Sequence, residues 1–300
     1  MPTFAFCPLF VAAARACSDF LLNTTTNQVM SARAMHFPSD LHFAVEIVPR
    51  HTLVQDMIAA KCPDCPDVAW RTTYGFVAIN AFGLNAATDG LNEKGLSAGF
   101  LMLELSNYPR LNVSDARPIV ASLVAYILSN VATADQVMDG LKRIQVDQFD
   151  MAVLGLLPRA ANLDKPLDLH LPIHDASGHS IVVECLNGTL NVYDNPNGVL
   201  TNEPLFEEQR LLVQALHSTQ HDMVFDGGYD PIERFQRLTI LNRHAHSLPS
   251  SSRATPDQAP FAAAVRTINT VAIPTAYVDN PMQYTVVQGH VNRRALFQHK

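Results

Sequence analysis

Residues 14–36 read ARACSDFLLNTTTNQVMSARAMH. Ala14-Arg15-Ala16 is a small-x-small triplet closing a short apolar run that starts at Phe4. That is the pattern ahead of a signal-peptidase cut, although no Lys or Arg precedes the run and Pro8 interrupts it. Behind the triplet, Cys17 to Ser31 mixes β-formers with turn residues and predicts a hairpin turning at Thr24-Thr25-Thr26-Asn27. A cut after Ala16, by a signal peptidase or by the chain itself, leaves Cys17 with a free α-amine. Residues 1–16 are then a signal peptide or propeptide, and 17–300 a single domain. Export implies a periplasmic or secreted protein, and a self-cleaved propeptide a cytoplasmic one.

Outward from this hairpin, the pattern alternates in blocks. Leu41 to Val48 predicts a strand ended by Pro49, Trp70 to Asn80 is β-rich, and Leu96 to Leu105 is an apolar run with the length of a buried strand. Pro118 to Val131 and Ala134 to Ile144 carry helical periodicity, with Thr133 a candidate N-cap. Strands return at 167–174, 180–186 and 189–193, the last two joined by Asn187-Gly188, a strong hairpin signal. Helical patterns cover 203–217, 231–245 and 261–271, a Ser/Pro-rich loop covers 247–260, and 283–298 predicts a closing hairpin. Strands, helices, strands, helices, strands in segregated blocks imply α+β layers rather than βαβ units.

Composition narrows the function classes. Hydrophobic residues make up 48% and charged residues 16%, which suits a well-buried globular chain and argues against disorder. The net charge is −7 and no basic stripe exists, so nucleic acid is not an expected partner. No apolar run has the roughly 20 residues of a spanning helix, so no membrane partner is expected. The five cysteines do not fall into a disulfide framework. Cys62-Pro63-Asp64-Cys65 is a C-x-x-C without a second pair, better suited to a loop or short-range disulfide than to zinc. No metal site or cofactor is implied.

Five segments, in order, resemble the choloylglycine hydrolase family, which includes bile salt hydrolases and penicillin V acylases. They are Cys17-Ser18-Asp19-Phe20 with Ser31-Ala32-Arg33-Ala34-Met35, then Thr88-Asp89-Gly90-Leu91-Asn92-Glu93-Lys94-Gly95-Leu96-Ser97, then the run from Asp194 to Pro204, then Glu233-Arg234-Phe235-Gln236-Arg237, and finally Gln283-Tyr284-Thr285-Val286-Val287. DGLNEKGL is the most telling. The resemblance implies the four-layer αββα sandwich of N-terminal-nucleophile hydrolases, a small acyl amide as substrate, and a homo-oligomer, a tetramer in the family.

It also assigns roles. Cys17 becomes the nucleophile, which makes a difficult amide hydrolysis a two-step covalent reaction. A free α-amine, with a pKa near 7.7–8.0, can take the proton of a thiol near 8.5, so one residue carries nucleophile and base. Arg33 is placed beside the thiol, where a cation favours the thiolate. Asn202 is placed to donate its carboxamide to the developing oxyanion, with a second donor from a backbone N–H near Leu101–Met102. Arg234 matches the family's second catalytic arginine. His36 stands where the family carries an acidic residue that orients the α-amine. An imidazole can accept a hydrogen bond there but brings no negative charge, which implies altered pH dependence or lower activity. Met35, Leu101, Met102 and Leu103 are expected to line an apolar acyl pocket.

The expected function is therefore cleavage of a linear carbon–nitrogen amide bond. Penicillin V or N-acyl homoserine lactones rank ahead of bile-acid conjugates, because bile salt hydrolases carry Asn at about the position of Met102. The alternative is a catalytically impaired relative that binds acylated ligands. A thiol redox or metal protein built on Cys62 and Cys65 ranks third.

Overall fold

A computed structural model describes residues 16–24, 28–56, 68–84, 86–149, 166–218, 227–245, 258–274 and 281–299. The elements in order are β1 (Ser18–Asn23), β2 (Val29–His36), β3 (Ala44–Val48), β4 (Leu53–Gln55), β5 (Ala69–Arg71), β6 (Phe76–Asn80), β7 (Ala87–Asn92), β8 (Ser97–Gly99), β9 (Leu101–Met102), β10 (Ile119–Val120), α1 (Leu123–Asn130), α2 (Val137–Leu141), β11 (Gln145–Val146), β12 (Leu169–His174), β13 (Ser180–Leu186), β14 (Thr189–Asp194), β15 (Val199–Thr201), α3 (Phe206–Ser218), α4 (Pro231–Ala245), α5 (Gln258–Asn269), β16 (Met282–Gly289) and β17 (Arg294–His299).

Two sheets carry the architecture. One runs β15-β1-β2-β16-β17, and the other β14-β13-β12-β8-β7-β6-β3 with β9 pairing β12. Helices α4 and α5 pack on β1 and β2, while α1 packs on β6, β7 and β8. The layers are therefore helix, sheet, sheet, helix, as the resemblance implies.

Strand β2 shows why. All eight of its residues are buried, so neither face meets water. Met30, Ala32 and Ala34 join the apolar cluster with Phe235 and Ile268 of the helix layer. Successive side chains alternate, so Ser31, Arg33 and Met35 project between the sheets. Strand β1 divides the same way: Phe20 and Leu22 face the helices, whereas Cys17 belongs to the inter-sheet cluster.

The main departures from the sequence reading come from strand pairing. The apolar run 96–105 is two short strands interrupted at Phe100, both pairing with β12. Residues 119–120 pair as a strand with 145–146, so the helix expected from Pro118 starts only at Leu123. Thr133 makes no side-chain cap, and the turn behind it is 3₁₀ before α2. Helix α5 begins at Gln258, inside the expected loop, and ends at Asn269. Helix α4 occupies the expected 231–245, and Asn187 and Gly188 both take positive φ in the β13–β14 turn, as an Asn-Gly hairpin requires. Cys62 and Cys65 lie outside the described residues.

Candidate active site

Cys17 immediately precedes β1, 1% exposed. Its Sγ contacts Met35 Sδ at 3.6 Å and the His36 carbonyl at 3.5 Å. The β1–β2 register places Asp19 directly opposite Arg33 on the inter-sheet face. Arg33 crosses to the second sheet. Its Nη1 donates to Asp89 Oδ2 and to the Thr88 carbonyl, both at 2.8 Å, and its Nη2 to Met35 Sδ at 3.2 Å. The crossing needs a gap in the facing sheet, and Gly99 provides it: a Cβ there would collide with Arg33 Nη1.

Burial shapes the charges of this cluster. It opposes the charge on Arg33, yet the facing Tyr284, Asp89, Cys17 and Asp19 together raise that guanidinium's pKa. Burial pushes the Asp89 carboxyl up to about 6, against the pull of Arg33. Gln288 Nε2 donates to the second Asp89 oxygen at 2.8 Å. From there the network continues through Ser31 to His290, whose Nδ1 meets the Gly95 carbonyl at 2.8 Å. Burial first, and then His174, hold His290 down to about 3, so it is neutral. His174 bridges Asp19 and Ser180 at 2.6 and 2.8 Å.

The second half of the site lies beyond β1, where α4 faces Ser18. Arg234 is fully buried, and burial pulls its guanidinium down to about 10. One nitrogen, Nη1, reaches the Ala16 carbonyl at 3.0 Å, the Cys17 carbonyl at 2.5 Å and Ser18 Oγ at 2.6 Å. Its Nη2 donates to Asn202 Oδ1 at 3.2 Å. Arginine can only donate, so this contact fixes which end of the Asn202 amide carries oxygen. The Nδ2 end then donates to the Met102 carbonyl at 2.9 Å, leaving its second hydrogen available. Leu103 N–H bonds to the Asp168 carbonyl. By strand alternation, Met102 N–H turns to the Asn202 side.

A largely apolar cleft adjoins Cys17. Met35, Phe37, Phe82, Phe100, Met102, Phe149 and Leu169 are among its lining residues. Leu101 and Leu103, expected in the acyl pocket, are fully buried and absent from that lining. Alternation turns them to the face opposite Met102.

His36 also departs from expectation. It shares the parity of Ala32 and Ala34, so its ring lies on the helix side of β2, where Nε2 accepts the Ile273 N–H at 3.3 Å. Its backbone carbonyl contacts the Cys17 thiol. The structure thus draws Cys17, Arg33, Met35, Met102, Asn202 and Arg234 into one neighbourhood, and it turns the His36 ring away. Asp89, Asp19 and His174 were not singled out from sequence. The signal available for Asp19 was its even spacing from Cys17 in a strand. Among the described residues, no group of three or more His, Cys, Asp or Glu side chains is arranged to hold a metal.

The family model described as linear amide C-N hydrolases, choloylglycine hydrolase family, matches residues 17–289. A penicillin V acylase from Pectobacterium atrosepticum is 26% identical over 281 residues, covering 89% of this chain and 72% of that one. A bile salt hydrolase/transferase from Clostridium perfringens is 34% identical over 196 residues, 64% of this chain and 54% of that protein. In fold, the chain is similar to the structure of penicillin V acylase from Agrobacterium tumefaciens. The TM-score is 0.77 at 24% identity, over 94% of this chain and 83% of that one.

Proposed function

This chain belongs to the choloylglycine hydrolase family of linear amide C–N hydrolases, and on that premise we propose that Cys17, once it is the first residue, is the nucleophile of a small-acyl-amide hydrolase. The observation that carries the reading is that Arg234 bonds both the Cys17 carbonyl and the Asn202 amide, while Arg33 donates to the Met35 sulfur that contacts the Cys17 thiol.

In the proposed cycle, the α-amine takes the thiol proton as Sγ attacks the acyl carbon, and the carbonyl oxygen becomes an oxyanion. The free hydrogen of Asn202 Nδ2 and the Met102 N–H receive it. The oxyanion collapses, the C–N bond breaks, and the ammonium returns its proton to the leaving amine. Water, deprotonated by the same amine, then hydrolyses the Cys17 thioester and releases the acid. Arg33 holds positive charge beside Met35 and the thiol, and Arg234 holds the Cys17 carbonyl and the Asn202 amide together. His36 contributes its backbone carbonyl rather than its ring.

The cleft supports an aromatic or alkyl acyl group, since Phe37, Phe82, Phe100 and Phe149 surround it. Penicillin V and N-acyl homoserine lactones are the proposed substrates, ahead of bile-acid conjugates. A purely ligand-binding relative is not favoured. Exposure of the α-amine requires removal of residues 1–16. Ala16 is 1% exposed with its carbonyl on Arg234. That suits cleavage by the chain itself after folding, whereas a signal peptidase would have to cut before. Among the described residues no helix is long and apolar enough to cross a membrane. A homo-oligomer, a tetramer by family resemblance, completes the proposal and is tested by size-exclusion with light scattering. The functional test is hydrolysis of a panel of acyl amides by wild type and Cys17→Ala. Equal turnover by the two would rule the mechanism out.

A further inference from the structure

The Asn202 amide is aimed by Arg234 and Met102, but both act on the side chain alone. A carboxamide can point at an oxyanion only if the backbone beneath it is held as well. That backbone converges on one residue outside the reaction cluster. Gln209, in the first turn of α3, is fully buried. Its Oε1 accepts the Thr201 N–H at 3.2 Å. Its Nε2 donates to the Pro204 carbonyl at 2.7 Å, the Thr201 carbonyl at 3.2 Å and the Asn202 carbonyl at 3.4 Å. One side-chain amide therefore grips the turn on both sides of Asn202.

The platform carrying Gln209 is itself anchored. Phe206 N–H, at the start of α3, donates to Glu184 Oε1 at 3.0 Å. Glu184 is 1% exposed on β13, and the same oxygen meets His170 Nδ1 on β12 at 3.1 Å. Strand β12 also pairs with β9 and so carries Met102. Both oxyanion donors thus hang from one rigid unit: Met102 through β12, and Asn202 through β13, α3 and Gln209.

We propose that Gln209 is a positioning residue for the amide-hydrolase reaction, setting the direction in which Asn202 presents its carboxamide. The inference rests on the reading of Asn202 as the oxyanion donor. Gln209 lines no part of the cleft, so its loss acts on the transition state and not on ground-state binding. A displacement of about 1 Å in a catalytic group costs on the order of 10² in rate, which bounds the expected effect.

The test uses processed enzyme and phenoxyacetyl 4-nitroanilide as probe. Gln209→Met keeps the side-chain length and removes every hydrogen bond. Its kcat should fall about 10- to 100-fold, with KM within threefold and the rate of iodoacetamide alkylation at Cys17 unchanged. In an Asn202→Ala background the same substitution should cost less than threefold more, because the group it aims is gone. If Gln209→Met does not fold, Gln209→Glu, which retains the acceptor for Thr201 N–H, is compared instead and should show the same split. A kcat within threefold of wild type, or a full additional loss in the Asn202→Ala background, overturns the positioning role. Should Asn202→Ala itself leave kcat intact, the oxyanion reading falls first, and the role of Gln209 with it.

Discussion

Replacing Asp89 with Asn keeps shape and removes one buried charge. Arg33 and Asp89 pair at 2.8 Å with side chains 1% and 5% exposed. Deleting one partner of such a pair costs about 3–5 kcal/mol. Two features reduce this. Arg33 keeps its bond to the Thr88 carbonyl. The carboxyl is also raised from 3.8 to about 6, chiefly by burial. At 1.36 kcal/mol per pKa unit, that is about 3 kcal/mol of cost borne by the ionised form, which Asn does not carry. The net loss of stability at pH 7 should therefore be about 0–2 kcal/mol, readable by urea unfolding.

The pH dependence gives the sharper test. A carboxyl with a raised folded pKa adds stability below its unfolded value, and loses that contribution as pH rises through about 6. Wild type should gain stability from this group between about pH 6 and 4, and Asp89→Asn should not. Activity should run the opposite way. Protonating Asp89 strips Arg33 of its counter-charge, so the wild-type rate should fall below about pH 6. In the variant, the rate at pH 7 should be lower and the further fall near pH 6 absent, leaving the acid limb of the α-amine alone. A variant that keeps both the wild-type rate and the further fall near pH 6 would refute the assignment of Asp89 as the group holding Arg33.

Other expectations follow from the same geometry. Asn202→Ala should lower kcat by about 10²–10³ with little change in KM, measured by steady-state kinetics. His36→Asn should leave kcat within about threefold, since the ring faces Ile273; a hundredfold loss would return the ring to the mechanism. His290 is held down to about 3 from 6.5, so its stabilising contribution is complete above 6.5 and is lost as pH falls toward 3. His290→Gln should accordingly flatten the loss of stability between pH 6.5 and 4, seen by denaturant titration at each pH. Phe82→Ala, which opens the cleft wall, should raise KM for phenoxyacetyl amides more than it lowers kcat.

The β1–β2 hairpin, the Asn-Gly hairpin and α4 were legible because each carries a local signal: β-formers flanking turn residues, an Asn-Gly pair, or 3.6-residue periodicity. The breaks at Phe100 and at Ile119–Val120 were not, because pairing partners distant in sequence decide them. The site divides the same way. Cys17, Arg33, Asn202 and Arg234 stand in motifs whose resemblance assigned them roles. Leu101 and Leu103 were misplaced because an apolar run does not reveal which residue faces the cleft, and strand parity settles that only once the sheet is known. His36 occupies a motif position whose ring direction depends on the helix layer. Asp89 and Gln209 carry no local signal of their tasks. One meets Arg33 across a gap left by Gly99, and the other acts through backbone carbonyls, which no motif encodes.

The most direct test of the central claim is mass analysis of the N-terminal peptide after a rapid acid quench during turnover of penicillin V. That peptide should begin at Cys17 and carry a phenoxyacetyl group on its sulfur. Turnover by protein whose N-terminal peptide still begins upstream of Cys17 would contradict it.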